Sequence, residues 1–385
     1  MTDVDVDVAG LREWAAGHRD DMLADLAAYV GRETPSTDKP RLTEALRWLE
    51  ESLLRPLGEP ESVRKVDGGE RGDIRVRDYP GTGGPVLVLC HYDTVWPVGT
   101  IDELPFRVDG DTVTGPGIFD MKAGLVQFLW AVRSLDAAGL PRPAIRLVLN
   151  GDEEVGSPAS RPTIEEAAAG ARAALVFEAS HAGAIKTARK GVGLFRVDVR
   201  GVEAHAGLDP TKGASAVDEL ARVIATLHGL TDLDAGTSVN VGVIGGGTRT
   251  NVTAGHAYGE VDVRVRSQDE TARVDAALAA LRPHDPRAAI EVTGGWNRPV
   301  MERSAATADL FALAAGLAAP LGLDLAECAV GGASDGNFVA PLGLPVLDGF
   351  GAVGDGAHAR HEHISVEGML DRTALAAAVL TTLAG

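Results

Sequence analysis

The chain has 385 residues, 45% of them hydrophobic and 24% charged, a formal net charge of -19 and two cysteines, Cys90 and Cys328. Its length exceeds one ordinary domain, so two are expected, and its composition is that of a soluble globular protein. The acidic balance excludes a nucleic-acid partner, which needs a basic face; no apolar run reaches the ~18 residues of a membrane span, and two cysteines make no disulfide framework.

From the N-terminus, residues 1–8 alternate Asp and Val and carry neither a basic segment nor an apolar core. No secretory signal is expected, and the cytoplasm is the expected compartment. Residues 11–30 and 42–54 place apolar side chains at helical spacing. Residues 85–90 form a continuous apolar run, the pattern of a strand buried on both faces, and 144–150 and 174–177 repeat it. Helical stretches at 123–135 and 163–169 separate these runs. Alternating strands and helices predict an α/β fold with a mixed, mostly parallel sheet covered by helices.

The texture changes near Lys190. Residues 193–200 alternate apolar and polar side chains, 237–244 and 256–266 are strand-like, and 215–227 and 271–281 read as helices. This is a βαββαβ-like set, enough for a smaller α+β domain with one open sheet face. From 305 the helical texture resumes, and 344–347 supply a short strand whose proline places it at an edge or a strand start. The predicted organisation is a catalytic domain over 1–189 and 302–385, interrupted by an inserted domain over 190–301. Three glycines at 245–247 read as a turn and not a phosphate loop, because no Gly-Lys-Ser/Thr follows.

Chemistry-bearing residues stand at the ends of the apolar runs. His91 and Asp93 follow the first. Two apart in extended chain, they point the same way, so one can ligate a metal while the other accepts a ring N–H. Asp120 follows Gly115-Pro116-Gly117; it can bridge two cations through its two oxygens or cap the helix that follows. Glu153 and Glu154 come after the second run. Adjacent carboxylates repel, which suits either a solvated loop or a division of labour between metal ligand and general base. Glu178 ends the third run, where a carboxylate needs a partner. Residues 355–363 hold His358, His361 and His363, which chemistry alone does not rank, and such a tract can also be a surface metal scavenger. Two His, one Asp and two Glu, with a further Glu to spare, are the inventory of a two-metal hydrolase.

These motifs, in this order, resemble a known family. His91-x-Asp93, Gly117-x-x-Asp120-Met121-Lys122-x-Gly124, Asp152-Glu153-Glu154-x-Gly156-Ser157, Phe177-Glu178, Gly201-x-x-Ala204-His205-Ala206-Gly207 and the distal His358 look like the acetylornithine deacetylase, succinyl-diaminopimelate desuccinylase and carboxypeptidase G family of di-zinc hydrolases. The likeness covers nearly the whole chain, and Phe177-Glu178 brings it closest to the glutamate carboxypeptidase branch.

The resemblance implies two zinc ions per chain, with cobalt or manganese able to take the same sites. Asp120 would bridge them, His91 and Glu178 would complete one site, and Glu154 and His358 the other. Glu153 would be general base and acid, Asp93 would orient His91, and the peptide after Asp120 would be cis. His358 is selected over its two neighbours because Glu362 stands four residues on, as in the family's pattern. The inserted domain would be the lid and dimerisation domain of a homodimer, with His205 reaching the partner subunit's site to polarise the scissile carbonyl. Asn251 would contact substrate, and Arg298, with the 331–336 turn and its Gly332, would clamp a substrate carboxylate; a solvated surface arginine is the other reading of Arg298. Met121, where many members carry a second acidic residue, and Thr253-Ala254, where Ile-Pro is common, depart from the pattern. The expected reaction is metal-dependent hydrolysis of an amide or peptide bond next to a free carboxylate, by a zinc-bridged hydroxide with Glu153 as base. Its substrate would be glutamate-carboxypeptidase-like or an N-acyl amino acid. The alternatives are a small-metabolite deacetylase or desuccinylase, a tailoring hydrolase removing an acyl or aminoacyl group, and a non-catalytic member of the fold.

Overall fold

A computed structural model describes residues 6–385. The chain divides into two compact units, one of Met1–Ala188, Arg303–Val330 and Ser334–Gly385, the other of Arg189–Glu302 and Gly331–Ala333.

In the first unit a six-stranded sheet runs in the order Ser62–Val66, Gly72–Tyr79, Pro143–Gly151, Thr82–His91, Ala173–Val176, Val346–Leu347. The last four strands are parallel and the first two antiparallel. The three apolar runs of the sequence are its three central strands, buried where they need no polar face. The short strand preceded by Pro345 is outermost, as a residue without an N–H requires. The two antiparallel strands were not expected. Gly72–Tyr79 alternates half-buried arginines and aspartates with buried apolar residues, and Ser62–Val66 is almost fully exposed, so neither offers an apolar run.

Helices close over this sheet. Ala123–Ala138 is buried along most of its length and packs against Val366–Thr382. The helix expected over 11–30 is two, Val8–Gly17 and Arg19–Val30. The cause is local: the His18 ring bonds the Trp14 carbonyl through Nδ1 at 2.8 Å, and the His18 N–H turns to Ala15 instead. The helix expected over 42–54 is Lys39–Trp48, continued by a wider π-helical turn over Leu49–Leu53 and started by Asp38, whose side chain accepts the Arg41 N–H.

The second unit is a four-stranded antiparallel sheet in the order Ser238–Gly246, His256–Val265, Gly191–Arg200, Ala289–Arg298. Helices Ala216–His228 and Gln268–Ala279 pack on it through Val197, Val199, Leu220, Val263 and Val274. Chain order is βαββαβ. Ser215 and Ser267 fix the helix starts by accepting the N–H groups of Asp218 and Glu270. The final strand escapes pattern reading because Gly294 (φ 98) and Gly295 break its alternation. Both cysteines are free, and among the described residues no helix is long and apolar enough to cross a membrane.

Candidate metal centre

Parallel strands deliver their carboxyl ends to one edge, and ligands collect where the connections diverge to either side. Thr82–His91 has parallel neighbours on both sides, Pro143–Gly151 and Ala173–Val176. His91 faces Asn150, and Leu89 faces Val176. Residues just past the neighbouring strands, Glu153, Glu154 and Glu178, therefore come level with His91. The turn carrying Asp120 reaches the same edge because Gly124 permits close approach: a Cβ there would lie 1.8 Å from the Phe177 carbonyl oxygen. His358 arrives from the far end of the chain on a left-handed turn (φ 62), just after Gly356 (φ 85).

The geometry separates into two halves about one carboxylate. His91 Nε2 lies 3.2 Å from Asp120 Oδ1 and 3.3 Å from Glu178 Oε1. His358 Nε2 lies 3.3 Å from Asp120 Oδ2 and 3.0 Å from Glu154 Oε2. Each oxygen of Asp120 thus meets a different imidazole. Ligand atoms of His91, Glu153 and Glu178 also lie within 4.8 Å of one another, so Glu153 borders the same space. Asp120 does not cap the following helix, whose cap position is Lys122 with no side-chain bond. His363 turns its Nδ1 to the His361 carbonyl and pairs with Thr114 in a strand, away from this set. The Asp120–Met121 peptide is cis.

So many carboxylates in one buried place perturb each other. Burial, and next the Asp120 charge, push Glu154 up to about 7. Hydrogen bonds to Asp120 and Glu154 push His358 up to about 11. Burial opposes ionisation of Asp120, yet hydrogen bonds from His358 and His91 outweigh it and hold the carboxyl below its ordinary range. For His91 burial again opposes the charged form, and bonds to Asp120, Asp93 and Glu178 overcome it.

The donors fit a cation. Ligands about 2.1 Å from a tetrahedral ion lie about 3.4 Å apart, close to the 3.0–3.3 Å found here. Glu154 Oε1 is buried and has no hydrogen-bond partner, an atom that a metal would satisfy. Mixed imidazole and carboxylate donors suit zinc, cobalt or manganese.

Asp93 serves the cluster from below. The His91 ring bonds the Asp93 backbone carbonyl through Nδ1 at 3.0 Å, which leaves Nε2 as the ligating nitrogen. The Asp93 carboxylate accepts the N–H groups of Glu153 and Glu154, each at 3.3 Å, and the Ser36 hydroxyl at 2.7 Å. Sequence reading missed Ser36: it lies far from every other site residue in the chain and carries no motif. It also missed any role for Glu362, whose only sign was its spacing from His358.

The remaining expected residues belong to the second unit. The 204–206 and 251–253 segments pair, through the His205–Val252 bridge and the Ala206 N–H to the Asn251 carbonyl at 3.0 Å, so His205 and Asn251 are neighbours. His205 Nδ1 accepts the Gly207 and Leu208 N–H groups at 3.2 and 3.1 Å. A nitrogen that accepts carries no proton, so Nε2 is the ring's N–H. Arg298 is 3% exposed, not a solvated surface residue. The Gly332 carbonyl accepts from Arg189 at 3.1 Å. In the turn that follows, the Ser334 and Gly336 N–H groups are already bonded to Asn337 and Ser334 side chains, so those two are not open to an anion.

Comparison with known proteins gives one family. The description of peptidase family M20/M25/M40 matches residues 87–382. Carboxypeptidase G2 of Pseudomonas sp. strain RS-16 is 29% identical over 373 residues, 94% of this chain and 89% of the relative. Succinyl-diaminopimelate desuccinylase of Gluconacetobacter diazotrophicus is 29% identical over 381 residues, 87% of this chain and 97% of the relative. Among solved structures, aminopeptidase PepT from Bacillus cereus superposes with a TM-score of 0.79 at 23% identity, covering 95% of this chain and 99% of that one.

Proposed function

This chain belongs to peptidase family M20/M25/M40 and is a metal-dependent hydrolase of amide bonds, and from that premise we propose that it cleaves an amide or peptide bond beside a free carboxylate, using two metal ions per chain. The observation that carries the reading is Asp120, whose two oxygens meet two different imidazoles. His91 and Glu178 would hold one ion, His358 and Glu154 the other, with Asp120 shared. Metal bound there supplies a water of lowered pKa and a Lewis acid for the carbonyl. Glu153 would take the proton of the attacking water as its oxygen bonds the carbonyl carbon, and would return it to the nitrogen that leaves as the C–N bond breaks. Asp93 holds the Glu153 and Glu154 backbone in register for those two tasks. Zinc is the proposed native metal.

The second unit is proposed as lid and dimerisation domain of a cytoplasmic homodimer. Its support is the edge strand Ser238–Gly246, which pairs on one side only and leaves Val243 and Ile244 49% and 63% exposed. His205 supplies its Nε2–H across the dimer to the carbonyl oxygen as charge develops, and Asn251 and Arg298 contact substrate, with Gly332 beside them. Removing one such donor costs roughly 10²–10³ in kcat. His205→Ala is therefore expected to lose about that much with metal content intact; full turnover in the variant sinks the role.

Two relatives frame the substrate question: one is named a carboxypeptidase, the other a desuccinylase. The proposed substrate is a C-terminal dipeptide or an N-acyl amino acid. A panel of N-acetyl and N-succinyl amino acids and dipeptides, each with a free or an amidated C-terminus, decides it. Amidated members should react far more slowly; equal turnover of both forms removes the carboxylate requirement.

Metal removal has a physical signature too. A cation present at about 100 times its Kd adds about 2.7 kcal/mol. Chelation should then lower Tm by about 5–10 °C, read by scanning calorimetry before and after EDTA.

A further inference from the structure

Glu362 is fully buried and belongs to none of the ligand, base or substrate roles above. Its carboxylate accepts four hydrogen bonds. Oε1 takes the N–H groups of Phe119 and Asp120 at 2.9 and 3.2 Å. Oε2 takes the Gly117 N–H at 2.8 Å and the Trp96 indole N–H at 2.7 Å. Those donors come from two separate loops: Trp96 from the loop that leaves His91 and Asp93, and Gly117 to Asp120 from the turn that carries the shared carboxylate.

Glu362 also closes a third loop. Its own N–H bonds the Ala359 carbonyl at 3.0 Å, and the Ala359 N–H bonds Gly356 at 2.8 Å, so it ends the turn that presents His358. Just beyond, His363–Ser365 pairs antiparallel with Thr112–Thr114, the strand that leads into the Asp120 turn. One carboxylate therefore ties together the segments that supply His91, Asp120 and His358, three of the five ligand residues.

We propose that Glu362 is a positioning residue for the metal centre, fixing the relative placement of the His91, Asp120 and His358 loops through four convergent N–H groups. The inference rests on the two-metal reading of the site. It has a sharp chemical consequence. Each carboxylate oxygen receives two N–H donors, so Gln has no orientation that serves: its amide nitrogen must face two N–H groups, losing two bonds and setting donor against donor. Groups that orient ligands from outside the coordination sphere typically set metal affinity by 10–100-fold.

The test measures zinc affinity by chelator competition on the full chain, for the parent, Glu362→Gln and Trp96→Phe, with melting of the metal-free forms alongside. Glu362→Gln is expected to weaken zinc about 10- to 100-fold. Trp96→Phe, which removes one of four donors, is expected to weaken it roughly fivefold, the worth of one hydrogen bond. A Glu362→Gln protein that binds zinc within about twofold of the parent overturns the inference, whatever its melting temperature, because a merely structural residue would change stability and spare affinity. Should Glu362→Gln fail to fold, unchanged affinity in Trp96→Phe overturns it instead. A parent protein that binds no zinc rejects the two-metal reading itself, a different result from either.

Discussion

Glu153→Gln is expected to lower kcat by roughly 10²–10⁴, the usual share of a positioned general acid–base group, while the protein keeps two metal ions. The reasoning is positional. Glu153 borders the space around His91 and Glu178. Its backbone N–H is held by Asp93 at 3.3 Å, so the amide variant should keep the loop in place and lose only proton transfer. Loss of one metal ion along with activity would make Glu153 a ligand; turnover within tenfold of the parent would leave the base unassigned. Steady-state kinetics together with elemental analysis separate the three outcomes.

The second large effect concerns Asp120. Asp120→Asn keeps the volume but removes the charge and turns one acceptor into a donor. Both imidazoles then lose their shared partner, and one must face an N–H group. A residue that merely orients ligands costs 10–100-fold in metal affinity; a shared ligand should cost at least roughly 100-fold at both positions together. The variant is expected to bind less than one ion per chain under conditions that give the parent two, and to be inactive. If it loses one ion and keeps the other at parental affinity, Asp120 serves a single site and the shared-carboxylate geometry is wrong. The contrast matters more than either result: Glu153→Gln should be inactive and loaded, Asp120→Asn inactive and empty.

Much of this molecule was legible before its structure, and for physical reasons. Residues 85–90, 144–150 and 174–177 are apolar without alternation, and only strands covered on both faces need that, so the parallel sheet followed from them. Once those strands lie side by side, the residues after each come to one edge. The helices expected over 215–227 and 271–281 are Ala216–His228 and Gln268–Ala279. What stayed hidden was non-local or interrupted. Gly72–Tyr79, paired on both sides, has no apolar run because arginines and aspartates alternate with its buried Ile74 and Val76. Ala289–Arg298 is masked by its two glycines. His18 breaks a helix through one side-chain bond to Trp14 that periodicity does not register. At the centre itself, residue types gave the inventory, but only coordinates divide the Asp120 oxygens between His91 and His358, make the Asp93 carbonyl rather than its carboxylate the closer partner of the His91 ring, and expose Ser36 and Glu362 as supports. Arg298, open to a surface reading in the sequence, is buried.

The central claim is that five residues from five separate segments hold two ions about one aspartate. Anomalous diffraction from zinc-loaded crystals at the zinc edge tests it most directly. The account predicts two peaks per chain about 3.5–4 Å apart, one beside His91 and Glu178, the other beside His358 and Glu154, with Asp120 between them. A single peak, or two peaks that do not share Asp120, would contradict it.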